Sequence, residues 1–299
     1  MNVLRLAKKK IRISTLLFLI CIIVTTGCGR ATQSLQSSEP AESSQITEKN
    51  DNDTNLKITA LKAGAADAFI LRSGDDVVLI DTGLEKNVDR LLGELDKQGI
   101  TKISCLIITH FDKDHVGGAD HVIDDYEVAK VYTTYHSKDS DDIDSYLGSL
   151  QAKGLSETVV TKETSFDIGD ISFTIYPPQA TSYNEKISNN SSLVIRVTLG
   201  EKSILFAGDA EEERIAELLE TQGLQSTILK IPHHGRLASN SQQLIDYIDP
   251  EYAIITSSGS NPEDQEILDI LEQKGIKTYL TRNGNITLTI TPDEVTIEQ

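Results

Sequence analysis

A run of metal-binding side chains directly after an apolar strand is the feature that most constrains this chain. The segment Ile103–Ile108 predicts a buried strand, and the six residues that follow Thr109 include two histidines and two aspartates. In extended backbone His110 and Asp112 point the same way, whereas Asp114 and His115 face a second point where the chain turns into a helix. Four such side chains in one short loop suit two ions about 3.5–4 Å apart. The sequence therefore predicts a metal site, although an isolated His-x-Asp is more often a surface loop.

The cysteines limit the ligands that such a site can use. Cys21 lies in an apolar run, Cys28 follows small residues and Cys105 lies in the predicted strand. These three positions offer neither a disulfide framework nor a thiolate zinc site. Any metal is therefore expected to be bound by histidines and carboxylates.

The charge of the chain argues against one class of function. The formal net charge is −18, and without the five basic residues of positions 1–27 the chain has 23 basic residues against 46 acidic ones. Broad binding to a phosphate backbone normally relies on lysine and arginine, and a surface this acidic therefore disfavours it. A nucleic acid could still be a substrate if metal ions hold it at one cleft.

Residues 1–27 have the order of an export signal. The basic residues Lys8–Arg12 precede the apolar run Ile13–Val24, which is short for a transmembrane helix. The small residues before Cys28 are similar to a bacterial lipoprotein cleavage site, although Thr25 stands where leucine is usual. The sequence predicts lipidation at Cys28 and anchoring on the extracellular face of the cell membrane. An uncleaved anchor is the alternative, and both place the body outside the cytoplasm.

The rest of the chain divides into a linker and one domain. Residues 28–55 are polar and poor in large apolar side chains, which predicts a flexible tether. Residues 56–299 alternate strands with amphipathic helices. Strands are predicted at Leu56–Leu61, Ala68–Arg72, Val77–Ile80, Ile103–Ile108, Val131–Thr134, Leu193–Leu199, Ile204–Phe206, Thr227–Ile231, Ala253–Thr256, Thr278–Leu280 and Ile286–Ile290, with a hairpin over Phe166–Tyr176. Helices are predicted at Val88–Leu95, Ile143–Leu150, Ala210–Leu219, Gln242–Ile248 and Gln265–Gln273, and another begins near His115. This pattern indicates two sheets flanked by helices but does not exclude a doubly wound α/β fold.

Several motifs along the domain resemble those of one family. The loop after the apolar strand is preceded by Leu79–Gly83 and followed by Asn189–Val194, Leu205–Asp209 and Leu229–Gly235. Together they resemble the metallo-β-lactamase superfamily, and Asp112, in place of the second histidine of His-x-His-x-Asp-His, is typical of the hydrolase domain of the ComEC DNA-uptake proteins. The resemblance spans about residues 56–299 and implies a four-layer αβ/βα sandwich of two mixed sheets flanked by helices, an α/β (α+β) fold. The chain is then a secreted, stand-alone relative without the membrane channel.

The resemblance also implies a set of metal ligands. They are His110, Asp112, Asp114, His115, Asp209 and His234. His110 and Asp112 bind one ion, Asp114 and His115 bind the other, and Asp209 bridges both. Of the pair His233-His234, the second is the ligand in related esterases, which implies His234, although the residues alone leave either histidine open.

Other residues are assigned roles around these ligands. Asp81 resembles a carboxylate that orients the loop His110–His115, called the ligand loop below. Asp114 is expected to orient the attacking water, and His233 to contact substrate or assist proton transfer. No histidine stands at the superfamily's third motif, where Asn190 is expected to lie beside the first ion. Arg236 stands where the ComEC branch usually has serine.

These residues imply a cofactor and a reaction. A site poor in imidazole and rich in carboxylate shifts preference from zinc towards Mn²⁺ or Mg²⁺, and the expected cofactor is one or two divalent ions, Mn²⁺ or Zn²⁺. The expected function is a phosphodiesterase or nuclease that acts outside the membrane through a metal-activated water on nucleic acid or a small phosphodiester. The membrane is reached through the lipid anchor, and the sequence indicates no protein partner.

Three alternatives remain open at this stage. One is another envelope hydrolase, acting on a phosphoester, a lactone or a β-lactam, although Asp112 and the missing third-motif histidine disfavour the last. Another is a non-catalytic surface lipoprotein that binds DNA or an envelope polymer. The third is a structural component of an uptake machine.

Overall fold

The computed structural model of the protein describes residues 55–299. The predicted signal peptide, Cys28 and the linker up to residue 54 lie outside the described residues. Within the part of the chain that is described, every helix is too short or too polar to cross a membrane.

Seventeen strands and eight α-helices form the described part of the chain. The strands are β1 (Leu56–Ala60), β2 (Ala68–Ser73), β3 (Asp76–Thr82), β4 (Lys102–Ile103), β5 (Cys105–Ile108), β6 (Glu127–Val128), β7 (Val131–Thr133), β8 (Glu157–Val159), β9 (Thr164–Ile168), β10 (Ile171–Tyr176), β11 (Val194–Leu199), β12 (Lys202–Phe206), β13 (Ile228–Lys230), β14 (Tyr252–Ile255), β15 (Lys277–Leu280), β16 (Ile286–Ile290) and β17 (Val295–Glu298). The helices are α1 (Val88–Lys97), α2 (Lys113–Val116), α3 (Ala119–Asp125), α4 (Asp141–Lys153), α5 (Ile187–Asn190), α6 (Glu212–Leu219), α7 (Ser241–Ile248) and α8 (Gln265–Gln273). Two 3₁₀ turns lie at Glu85–Asn87 and Pro232–Gly235.

Two large mixed sheets carry the fold. One has eight strands in the order β17-β16-β1-β2-β3-β5-β7-β8, and the other has seven in the order β15-β14-β13-β12-β11-β10-β9. The strands from β3 to β8 in the first sheet pair in parallel, as do β12 to β15 in the second. The remaining pairs in these two sheets are antiparallel.

The core is stacked in layers because each sheet buries both faces. Alternating side chains of β10, among them Phe173, point between the sheets and meet residues such as Phe69 of β2 and Phe206 of β12. The outer face of the first sheet packs against α1, α3 and α4, and that of the second against α6, α7 and α8. The central parallel strand β5 is buried along its whole length, as expected for a strand covered on both sides. The predicted four-layer αβ/βα sandwich is confirmed.

The structure corrects some predicted elements. The strand predicted over Ile103–Ile108 is broken at Ser104, whose backbone N–H donates to Val77 and whose hydroxyl donates to Asp76. As a result β4 pairs with β6 in a small separate sheet, while β5 joins the large one. The strands β8 and β17 and the short helix α5 were not predicted, because they are short and their exposed positions are polar or isolated apolar residues.

Two glycines set the position of the ligand loop on the first sheet. Gly117 and Gly118 separate α2 from α3, so the predicted helix near His115 is two short helices. A Cβ atom at Gly117 would lie 2.4 Å from the carbonyl oxygen of Lys113 and 2.6 Å from the amide nitrogen of Glu85. Only glycine therefore allows the loop to approach the turn after β3 this closely.

Replacing Gly117 by alanine tests this close approach. Because the added methyl meets backbone atoms, Gly117→Ala is expected to lower the free energy of unfolding by about 1–3 kcal/mol, as overpacking does. Gly148→Ala is the matched control: Gly148 lies exposed inside α4 with open space around its Cβ position, and alanine there should add about 0.5–1 kcal/mol. Urea denaturation of both variants measures the difference, and equal stabilities would contradict the packing described.

Candidate metal centre

The predicted ligands come from loops at the carboxyl ends of parallel strands in both sheets. In the first sheet, the loop after β5 carries His110 and leads into α2, which carries His115. In the second sheet, Asp209 follows β12 and His234 follows β13. The two groups of loops are tied together by a backbone hydrogen bond of 2.9 Å from the Leu193 N–H to the Thr109 carbonyl.

Four side chains converge on one point. The Nε2 atom of His115 lies 3.2 Å from Oδ2 of Asp209, and Nε2 of His234 lies 3.3 Å from the same oxygen. Nε2 of His234 is also 3.4 Å from Oδ2 of Asp114. His234 therefore contacts both Asp209 and Asp114, whereas Nε2 of its neighbour His233 lies 4.0 Å from Oδ2 of Asp209.

The donor atoms have the arrangement that a divalent ion requires. Ligands about 2.0–2.2 Å from a tetrahedral ion lie about 3.3–3.6 Å from one another, close to the separations found here. Nε2 of His110, His115 and His234 and Oδ1 of Asp209 are buried, and among the described residues none of them makes a hydrogen bond. Buried polar atoms nearly always have a partner. Unpaired atoms that face a common point among carboxylates fit a metal ion.

On the side of the centre with His110 and Asp112, the distances between candidate ligand atoms are longer. Nε2 of His110 lies 3.7 Å from Oδ2 of Asp112 and 3.9 Å from Oδ2 of Asp209. The other oxygen of Asp112 accepts hydrogen bonds from the ammonium group of Lys138 and from the hydroxyl of Ser188. Burial acts to raise the pKa of Asp112, but these donors and His110 hold it well below its ordinary value.

Asp81 lies against the loop that carries the predicted ligands. Its carboxylate is fully buried and accepts hydrogen bonds of 2.7 Å from both the backbone N–H and the hydroxyl of Thr109. The same carboxylate lies 2.8 Å from Nδ1 of His115. This contact places the proton of the neutral ring on Nδ1 and leaves Nε2 free to face the centre.

Sequence reasoning missed a buried network behind the centre. Asp67 contacts the ammonium group of Lys230 and accepts a hydrogen bond of 2.6 Å from Thr256. The Thr256 hydroxyl lies 3.0 Å from Nδ1 of His234, so it orients that ring as Asp81 orients His115. Lys230 also donates to the Gly208 carbonyl at 2.9 Å, beside Asp209. The available signal was a lysine inside an otherwise apolar strand, which must have a buried partner.

Two other predicted residues lie at the edge of the centre. Nδ1 of His233 is 2.6 Å from Glu211, which turns Nε2 towards Asp209. Asn190 is bound to backbone instead: its Oδ1 accepts from the N–H groups of Glu211 and Arg214 at the start of α6. Asn190 thus positions the loop after β12 and is not placed to ligate an ion, contrary to the contact expected from the sequence.

The carboxylates of the centre raise the pKa values of His115 and His234. Burial acts to lower the pKa of His234, but Asp209 and Asp114 outweigh it and raise the pKa to about 9. The pKa of His115 is raised well above its ordinary value by Asp209 and Asp81, again against burial. Conversely, burial acts to raise the pKa of Asp114, but His234 and His115 lower it to about 2.

A cleft of about 740 Å³ opens beside His233. Its lining includes the cations Lys186 and Arg236. Carboxylates are more numerous in it: Glu185, Glu211, Glu212, Glu213 and Asp264. Arg236 is held by Asp264 at 2.8 Å, so its charge is partly compensated.

Comparison with known proteins agrees with this geometry. Residues 61–258, which include all the predicted ligands, match the metallo-β-lactamase superfamily. The chain belongs to the metallo-β-lactamase superfamily. That membership makes the chain a hydrolase of this superfamily, and its clusters of histidines and aspartates are of a kind that can hold a metal ion.

The curated relatives are larger proteins. The chain is 29% identical over 230 residues to ComE operon protein 3 of Bacillus subtilis, covering 70% of this chain and 29% of that protein. It is 24% identical over 252 residues to Recombination protein 2 of Haemophilus influenzae (81% and 30%) and 24% identical over 207 residues to Competence protein ComA of Neisseria gonorrhoeae (68% and 27%). The chain thus spans less than a third of the length of these relatives.

Solved structures share the metallo-β-lactamase fold at low identity. The metallo-β-lactamase fold protein YhfI from Bacillus subtilis superposes with a TM-score of 0.54 at 11% identity, covering 82% of this chain and all of that one. CmlA, a diiron β-hydroxylase from Streptomyces venezuelae, gives 0.52 at 16% identity, covering 80% and 54%. These likenesses concern the fold alone.

The raised histidine pKa values predict that metal binding by this metallo-β-lactamase centre depends on pH. His234 is protonated below about pH 9, and a ligand must be neutral, so binding displaces at least one proton at neutral pH. Affinity for Mn²⁺ is expected to rise roughly tenfold per pH unit for each proton released, from about pH 6 to pH 8. Calorimetric titration in two buffers of different ionisation enthalpy counts the protons. An affinity independent of pH, with no proton release, would show that His234 is not a ligand.

Proposed function

We propose that this chain is a metal-dependent phosphodiesterase that cleaves nucleic acid outside the membrane. The observation that carries the proposal is the convergence of the unpaired Nε2 atoms of His115 and His234 on the carboxylates of Asp114 and Asp209. A set of two imidazoles and two carboxylates suits divalent cations such as Zn²⁺ or Mn²⁺, and such ions polarise phosphoryl oxygens.

In the proposed hydrolysis, the residues of the centre have different roles. A bound divalent ion would lower the pKa of a water molecule and neutralise charge on the attacked phosphoryl group. His115, His234, Asp114 and Asp209 would hold that ion, and Asp114, which is partly exposed, can also orient the attacking water. Its position at the open side of the centre suits this second role.

Proton transfer is the role proposed for His233. Glu211 fixes Nδ1 of its ring, so Nε2 faces both the centre and the cleft. A histidine held by a carboxylate in this way can hand a proton to the leaving oxygen of a phosphodiester. Its partial exposure lets a substrate reach it.

The relatives support a nucleic acid substrate. Two of them are named as a competence protein and a recombination protein, and a third as a ComE operon protein. The acidic surface then requires that the centre, and not a broad basic face, hold the substrate. A short single strand that enters the cleft end-on would meet this requirement.

One observation favours a second candidate function. The carboxylates that outnumber cations in the cleft repel a long polyanion. A small phosphoester or a lactone of the cell envelope is therefore the alternative substrate. A lipoprotein that only binds DNA or an envelope polymer has no use for unpaired buried histidines.

The location is part of the proposal. The basic and apolar residues before Cys28 support export, and lipidation of Cys28 would anchor the protein to the outer side of the cell membrane. The polar residues up to position 55 would then hold the hydrolase domain away from the lipid.

Asp114→Ala tests the proposed activity. Loss of a ligand that also orients water is expected to reduce Mn²⁺-dependent cleavage by more than about 100-fold, the upper range for removing an outer-shell partner. The substrates are single-stranded DNA, RNA, bis-p-nitrophenyl phosphate and a lactone. Asp124→Ala, on the exposed face of α3, is the matched control and should retain activity.

The pattern of activity separates the candidates. Cleavage of DNA or RNA that Asp114→Ala abolishes supports the nuclease, and cleavage of only the small substrates supports the envelope hydrolase. Activity that survives Asp114→Ala, or DNA binding without any cleavage, would refute the proposal.

A further inference from the structure

We propose that this centre binds one divalent ion, and that the ammonium group of Lys138 supplies the positive charge of the second. The ligands of the single ion are Asp114, His115, Asp209 and His234. The inference deepens the proposed function and rests on it, because it assumes that the centre binds metal.

The Asp112 side of the centre lacks ligands for an ion of its own. His110 and Asp112 offer one atom each, separated by 3.7 Å, and the shared Asp209 lies 3.9 Å from His110. His115 cannot serve both ions, because its Nδ1 is bonded to Asp81 and only Nε2 is free. Among the described residues, the groups of His and Asp atoms close enough to hold an ion leave Asp112 out, and the group that contains His110 consists of His110, His115 and Asp209. Two of its three members are thus ligands of the single ion proposed here.

Two residues of α5 near the first position, Asn190 and Ser188, offer no free ligand atom. Both polar atoms of the Asn190 side chain are used: Oδ1 accepts from two backbone N–H groups, and Nδ2 donates to the Glu185 carbonyl at 2.9 Å. The nearby Ser188 donates its hydroxyl proton to Asp112. Asn190 and Ser188 therefore add no free acceptor beside His110 and Asp112.

Lys138 already neutralises Asp112. It lies between β7 and α4, and its ammonium group contacts the same oxygen of Asp112 that Ser188 contacts. A second dication would have to displace this ammonium or bind directly beside it, and two like charges at contact distance repel strongly. The ammonium group of Lys138 thus provides the positive charge that an ion bound at Asp112 would provide.

Lys138 is also placed to meet substrate. Its side chain is 39% exposed, so not all of its three N–H donors are consumed by Asp112. One of them can point to a phosphoryl oxygen held at the ion. Lys138 would then be a catalytic residue of the proposed phosphodiesterase.

The stoichiometry of Mn²⁺ binding tests the inference. The purified wild-type chain is titrated with Mn²⁺ by calorimetry and by electron paramagnetic resonance, and one ion per chain is expected, without the spin coupling of two bridged ions. Lys138→Glu replaces the ammonium with a carboxylate beside His110 and Asp112, and it is expected to bind two ions. Lys113→Glu makes the same charge change at an exposed position of the ligand loop and should keep one.

Each outcome decides the matter. Two coupled ions in the wild-type chain would overturn the inference and leave the proposed hydrolase intact. One ion in Lys138→Glu would show that Lys138 is not what excludes the second ion, which also overturns it. Binding of no Mn²⁺ by the wild-type chain would overturn both the inference and the proposed function.

Discussion

The buried carboxylate of Asp81 is the constraint on which the rest of the centre depends. It lies at the end of β3 in a left-handed conformation, with φ of 58°, and it bonds the backbone and side chain of Thr109 as well as the ring of His115. Through Thr109 it fixes the start of the ligand loop, and through His115 it fixes the ring that faces Asp209. Thr109 also accepts a bond from Leu193, so the same point joins the two sheets.

The centre contains two energetically unfavourable features, a strained backbone and a buried charge. His233 and His234 both adopt left-handed backbone conformations, which are strained for residues with a Cβ atom and cluster at functional sites. Lys230 is fully buried, and burial would lower its pKa, but Asp67 and Asp209 raise it. Removing one partner of such a buried pair costs about 3–5 kcal/mol, so the network behind the centre ties the stability of the second sheet to the position of its ligands.

Sequence reasoning was most successful where the signal is local. The apolar run before His110, the glycines after it and the helical periodicity of α1, α7 and α8 are all read within a few residues, and the fold that they and the family motifs imply is the one found. The break at Ser104 was missed because it depends on hydrogen bonds with β3, which the run itself does not reveal.

Contacts between distant residues explain what was missed at the site. Asp67 meets Thr256 across 189 positions of the chain, and Lys138 meets Asp112 across 26. No pattern in the sequence pairs them. Asn190 was expected near an ion because of its place in a motif, whereas in three dimensions the backbone at the start of α6 takes up its oxygen.

The central claim is that four side chains from two sheets share a metal ion. Crystals of the protein grown with Mn²⁺ and measured at a wavelength where manganese scatters anomalously test it most directly. The account predicts an anomalous peak within about 2.0–2.2 Å of His115, His234 and the carboxylates of Asp114 and Asp209. A peak bound elsewhere on the protein, or no peak in crystals that retain these side chains, would contradict it.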